Sequence, residues 1–133
     1  MVIIKTVCVN PTAKFKDLYD FGMAEYSYRP EIYDEYGLFV TNAIKNGLLL
    51  DAKKEWFDAD TQTYHLHLYS PSPENAAEFL DKCHKEAWFI DSKNHMTSSG
   101  WTVTESIENV PIFSAGGQPK ISAEWMPPGQ GYY

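Results

Sequence analysis

Arginine is almost missing from this chain: of eleven basic residues only Arg29 is one, against eighteen acids and a net charge of -7 over 133 residues. Bidentate recognition of phosphate or guanine leans on arginine, and an acidic chain repels a polyanion. No nucleic-acid partner is expected. Cysteine is scarce as well. Cys8 and Cys83 are too few for a disulfide framework, and no C-x-x-C spacing occurs. Both fall where buried structural thiols are expected, although the sequence leaves a bridge between them open. Long apolar runs are lacking too. The longest, around Gly47-Leu48-Leu49-Leu50, is far short of the ~20 residues of a membrane helix. The N-terminus has neither the basic flank nor the cleavage site of a signal peptide. A cytoplasmic, reducing location without a membrane partner is expected. There is also no Gly-rich phosphate loop, no serine nucleophile elbow and no zinc-ligand spacing, which lowers the prospect of nucleotide enzymes and hydrolases. No cofactor and no metal are expected.

What is present is apolar and aromatic. Hydrophobic residues make up 44% of the chain and aromatic ones 15%, enough for a core in a single domain of this length. Val2 to Val9 is β-branched and ends at Asn10-Pro11, which predicts a buried first strand. Between Lys14 and Tyr28 the pattern fits either a short helix or a structured loop. Pro30 and Glu31 then open a helix, and Ile32, Tyr36, Phe39, Ala43 and Ile44 repeat along it at helical spacing. Lys45 and Asn46-Gly47 close it, giving a helix over 30–46. Leu48 to Phe57 reads as extended, and Asp58-Ala59-Asp60-Thr61 as a turn. Thr63 to Tyr69 alternates, with Tyr64, Leu66 and Leu68 on one face and His65, His67 and Tyr69 on the other. Ser72-Pro73-Glu74 starts a second helix, whose apolar stripe runs through Ala76, Phe79, Leu80, Cys83 and Ala87. Trp88-Phe89-Ile90 either extends that helix or opens a strand. Trp101 to Ile107 is the last strand.

Residues 108–133 hold four of the eight prolines and four of the eight glycines, together with Ile112, Phe113, Trp125 and Tyr132. We therefore divide the chain into a domain over 1–107 and an apolar, Pro/Gly-rich C-terminal arm over 108–133. The arm is expected to dock on the domain or on a neighbouring subunit.

The order β-α-β-β-α-β predicts a ferredoxin-like α+β sandwich, a four-stranded antiparallel sheet with two helices on one face. The run Glu55-Trp56-Phe57-Asp58-Ala59-Asp60-Thr61, followed by a strand and then Ser72-Pro73-Glu74-Asn75-Ala76-Ala77-Glu78-Phe79-Leu80, resembles the central hairpin and second helix of the dimeric α+β-barrel superfamily of antibiotic-biosynthesis-monooxygenase type. The resemblance spans roughly residues 2–107 and is one of element order. It implies two paired sheets enclosing a pocket for small organic molecules or haem. Catalytic residues vary between branches of that superfamily, so none carries over. The strand, Ala-rich helix and hairpin also resemble phage enzymes that cleave S-adenosylmethionine, trimers with active sites between subunits. Those place a glutamate just ahead of the third strand, where this chain has Asp60, Thr61 and Gln62.

His65 and His67 are two apart on a strand and point the same way, with Tyr69 continuing that face. A metal would need further ligands, and neither His84 nor His95 is brought close by spacing. A neutral imidazole facing a pocket can act as a general base, so His65, His67 and Tyr69 are the candidate catalytic residues. Tyr26, Tyr28, Tyr33 and Tyr36 with Arg29 form an aromatic segment suited to a contact patch or a pocket lid. Of these Tyr26, Tyr28 and Arg29, with Trp56 and Trp101, are the candidate ligand or interface residues. Glu55, Asp58 and Asp60 read as a solvated turn rather than a calcium loop, and the acids as a whole as a solvated coat. Three functions follow. The first is a homo-oligomer, dimer or trimer, with a small-molecule pocket on the sheet face or between subunits, as binder or cofactor-independent enzyme. The second is a structural or assembly protein, of viral type among others, that uses the aromatic face and the arm. The third is a phage-type S-adenosylmethionine lyase.

Overall fold

Strand β1, Val2–Val9, lies inside the sheet because its residues pair on both sides and bury both faces. The computed structural model describes residues 1–110 together with the backbone of the strands Ile112–Ala115 and Gln118–Ile121. After β1 come helices α1 (Leu18–Tyr28) and α2 (Pro30–Lys45), strands β2 (Lys53–Asp58) and β3 (Thr63–Ser70), helices α3 (Pro73–Lys85) and α4 (Ala87–Ser98), and strand β4 (Thr102–Asn109). The four strands form one antiparallel sheet in the order β2-β3-β1-β4. The protein is thus α+β.

Local chemistry sets most boundaries. Asp17 caps α1 by accepting from the Asp20 amide at 2.8 Å. The single extended residue Arg29 separates α1 from α2, and Pro30 opens α2 with its fixed φ. Asp58 accepts from the Asp60 and Thr61 amides, which forms the β2–β3 turn as expected. Ser72 caps α3 through the Asn75 amide at 3.1 Å. Gly100 is required between α4 and β4. Its φ is +98°, and a Cβ there would come within 3.4 Å of the Asn10 side chain, which itself donates to the Ser99 carbonyl.

Several expectations are corrected. The described residues form four helices, not two, because each crossover is a helical pair. The ambiguous segment before Tyr28 is α1. Trp88-Phe89-Ile90 is helical rather than extended, since the Trp88 ring packs edge-on against Tyr36 and Phe39 of α2. Leu48 and Leu49 are not in a strand. They close α2 through amides that both donate to the Ala43 carbonyl, and β2 begins only at Lys53. Strand β4 runs to Asn109, two residues past the expected strand end at Ile107. Within 108–133, Ile112–Ala115 pairs antiparallel with Gln118–Ile121 as strands β5 and β6. The docking of the rest of the arm lies outside the described residues.

All four helices cover one face of the sheet. Phe39, Ala43 and Ile44 of α2, Phe79 and Cys83 of α3 and Phe89 of α4 pack with Val2, Ile4, Leu66, Leu68 and Ile107. A second, aromatic cluster joins Phe21 of α1 and Met96 of α4 to Cys8, Phe57, Tyr64 and Trp101. Among the described residues no helix is long and apolar enough to cross a membrane.

Candidate functional site

Strand alternation, confirmed by register, puts His65, His67 and Tyr69 on the face away from the helices, beside Trp56 and Lys54 of β2 and Lys5 of β1. Trp56 stacks on His65 with ring centres 4.5 Å apart and meets His67 edge-on at 4.9 Å. His67 is buried, and its Nδ1 has no hydrogen-bond partner among the described residues. Burial, reinforced by Lys5 and His65, pushes its pKa down to about 4. Burial also lowers that of His65. Both imidazoles are therefore neutral at pH 7. The face carries its own ion pair, Lys5 to Glu108 at 2.5 Å. Tyr69 continues that face two residues beyond His67 and packs with Ile3 and Val110 in an apolar cluster.

A concavity lies on the other side of the sheet. Between the sheet and the helices lies a cavity of about 500 Å³. Its floor is the inward face of the sheet, with Ile4, Thr6 and Cys8 of β1, Tyr64, Leu66 and Leu68 of β3 and Val103 and Glu105 of β4. Its roof is helical, with Phe21 of α1, Tyr36 of α2, Phe79, Leu80 and Cys83 of α3 and Trp88, Phe89 and Met96 of α4. Tyr19, Met23, Tyr26 and Tyr33, all exposed, border it from α1 and α2.

The polar groups of this lining are the minority, and several are matched. Tyr64 donates its hydroxyl to Glu55 Oε2 at 2.8 Å. Burial first, and then the Glu55 carboxylate, hold the Tyr64 phenol well above its ordinary range. Glu105 faces inward on β4 and takes His84 Nε2 of α3 at 2.9 Å and Lys93 Nζ of α4 at 3.4 Å, so one carboxylate ties two helices to the sheet. Burial pushes the Cys8 and Cys83 thiols up to about 12 each, so both free cysteines are inert packing groups rather than nucleophiles. The unmatched polar groups of the lining include the Tyr36 hydroxyl and the Glu25 carboxylate. The Tyr36 hydroxyl is enclosed and meets no hydrogen-bond partner among the described residues. Glu25 has neither an ion pair nor a hydrogen bond to a described residue, and burial raises its pKa against the opposing effect of His95.

The remaining candidates separate. Tyr26 borders the cavity, in edge-to-face contact with Tyr33 at 5.4 Å. Tyr28 and Arg29 instead join the α1–α2 junction to α4. Arg29 pairs with Asp91, and Tyr28 stacks on His95 with ring centres 3.5 Å apart. Trp101 is a buried member of the Phe15–Phe21 aromatic cluster. Trp56 alone among them joins the histidines. Glu25, Glu55, Tyr64, Lys93 and Glu105 were missed. One signal was available for Glu105, a charge in the inward register of β4 between Val103 and Ile107. Glu55, read as part of a solvated turn, is the partner of Tyr64, and Glu25, Glu55 and Glu105 together depart from the solvated coat. Among the described residues no group of three or more His, Cys, Asp or Glu is placed to hold a metal ion.

No protein-family model matches this chain, and no curated protein or solved structure matches it either.

Proposed function

We propose that this protein binds a small organic molecule with a largely apolar body in the cavity between its sheet and its helices, as a binder or a cofactor-independent enzyme. The observation that carries the reading is the cavity itself. At about 500 Å³ it falls within the roughly 300–1,000 Å³ of small-molecule sites, and like them it is mainly apolar with a few polar groups. The enclosed, unpartnered Tyr36 hydroxyl supports it, because a ligand acceptor would satisfy a donor that is otherwise costly to bury. The order β2-β3-β1-β4 supports a ferredoxin-like arrangement, with a helical pair in place of each single crossover helix. Two free buried thiols are in keeping with a reducing compartment.

The test is titration with N-phenyl-1-naphthylamine, an uncharged probe that fluoresces in apolar sites. One saturable site per chain is expected, with micromolar affinity. Leu80→Trp, which places a larger side chain into the cavity, should abolish that site while the circular dichroism spectrum stays unchanged. Absence of saturable binding, or full binding by a folded Leu80→Trp variant, overturns the reading.

A second reading, self-association, is favoured by the exposed apolar border of the cavity, where Tyr19 is 75% exposed beside Met23, Tyr26 and Tyr33. Large exposed apolar groups in one patch mark interfaces. Sedimentation equilibrium is expected to give a dimer or trimer that Tyr19→Ser weakens. A monomer at every concentration tested removes this reading and leaves the first intact.

A further inference from the structure

We infer that the molecule bound in this cavity is an organic amine, its cationic group held by Glu25 among the border tyrosines and its apolar body directed toward Phe21 and Trp88. The inference rests on the binding reading above and names its ligand class. Five charged residues line the cavity: Glu25, Glu55, Glu105, Lys53 and Lys93. Both lysines are already engaged. Lys53 lies 3.4 Å from Glu55, which also accepts from Tyr64, and Lys93 lies 3.4 Å from Glu105, which also meets His84. Glu25 alone has no partner among the described residues. Glu25 lines the cavity and is only partly exposed, and its charge raises the pKa of the Cys8 thiol and of the Tyr33 phenol.

A half-buried carboxylate without a partner is short of solvation, and a bound cation supplies what water no longer does. Tyrosine faces add to this, because the ring quadrupole attracts a cation and prefers an ammonium to a neutral group. Tyr26 and Tyr33, 5.4 Å apart and edge-to-face, stand on the same border. His95, the one basic group that lowers the Glu25 pKa, is stacked on Tyr28 and forms no ion pair with Glu25. An anionic ligand would face three carboxylates with both lysines occupied, and a neutral one could offer Glu25 a hydrogen bond but no compensating charge.

Three probes with one ring and different charge make the test: 1-naphthylmethylammonium, 1-naphthalenemethanol and 1-naphthoate, each titrated against the full chain at pH 7. The ammonium is expected to bind about tenfold more tightly than the alcohol, and the carboxylate most weakly. Glu25→Gln should bring the ammonium to the affinity of the alcohol while leaving the alcohol unchanged. Equal binding of ammonium and alcohol by the unmodified protein, or a cation preference that survives Glu25→Gln, overturns the amine inference and leaves cavity binding standing. If none of the three binds, the binding reading fails and the inference with it.

Discussion

Phe21→Ala is expected to lower folding stability by about 3–5 kcal/mol, in the range for truncating a buried aromatic. Phe21 is the one residue of α1 that is fully buried. Its ring stacks on Tyr64 with centres 4.7 Å apart and on Phe57 at 5.4 Å, and meets Trp101 and Phe15 edge-on. Removing it empties the centre of a cluster whose other members are anchored in all four strands of the sheet, in α4 and in two loops, so the gap cannot close by moving one side chain. Beside Phe21, α1 packs Leu18 into the same cluster, and its end is tied to α4 by Tyr28 stacked on His95 and by the solvent-accessible Arg29–Asp91 pair, which contributes little. Urea unfolding should therefore shift, and amides of 18–28 should exchange faster than those of α3. A stability loss below about 1 kcal/mol, outside the range for such a truncation, would mean that Phe21 does not anchor α1.

His67 is expected to make stability fall on acidification. Burial beside Lys5 holds its native pKa at about 4, against 6.5 for an unperturbed imidazole. The folded state thus binds fewer protons than the unfolded state between these values. The contribution is fully present above pH 6.5 and is lost as pH falls through 4. For a shift of this size it amounts to about 2–3 kcal/mol. Carboxylates also respond to acid, so the measurement is comparative. Between pH 7 and pH 4 the wild type should lose about 2–3 kcal/mol more than His67→Gln in urea titrations. Parallel losses in the two proteins would show that His67 is not held neutral by the fold.

The two predictions concern opposite faces of the same sheet, and those faces were not equally legible. The outer face was read correctly as a row. Strand alternation alone puts His65, His67 and Tyr69 together, and Leu66 and Leu68 opposite, because neighbouring side chains of a strand must point to opposite sides. Helix α2 and the start of α3 were legible for a similar reason, since proline, hydroxyl and carboxylate caps act within one turn. Helix α4 was not. Trp88-Phe89-Ile90 suits a strand as well as a helix, and the choice fell to the packing of Trp88 against Tyr36 and Phe39.

The cavity was illegible for a deeper reason. Glu25 on α1, Tyr36 on α2, Glu55 on β2, Tyr64 on β3 and Glu105 on β4 share no spacing or motif, and no local rule distinguishes their carboxylates from those of a solvated surface. They meet only because the helices leave a gap above the inward face of the sheet. The scarcity of arginine gains meaning from this arrangement. The single Arg29 is spent on tying α1 to α4 through Asp91, so the charges within the cavity are carboxylates with two lysines. By itself the sequence determined the α+β class, the bounds of β1, α2 and β3, the start of α3 and the sidedness of β3, all consequences of short-range periodicity and capping. Only the tertiary structure decided where a ligand could sit and which acids face it. A cavity is the space that packed elements fail to fill, and its shape depends on contacts between residues far apart in the chain.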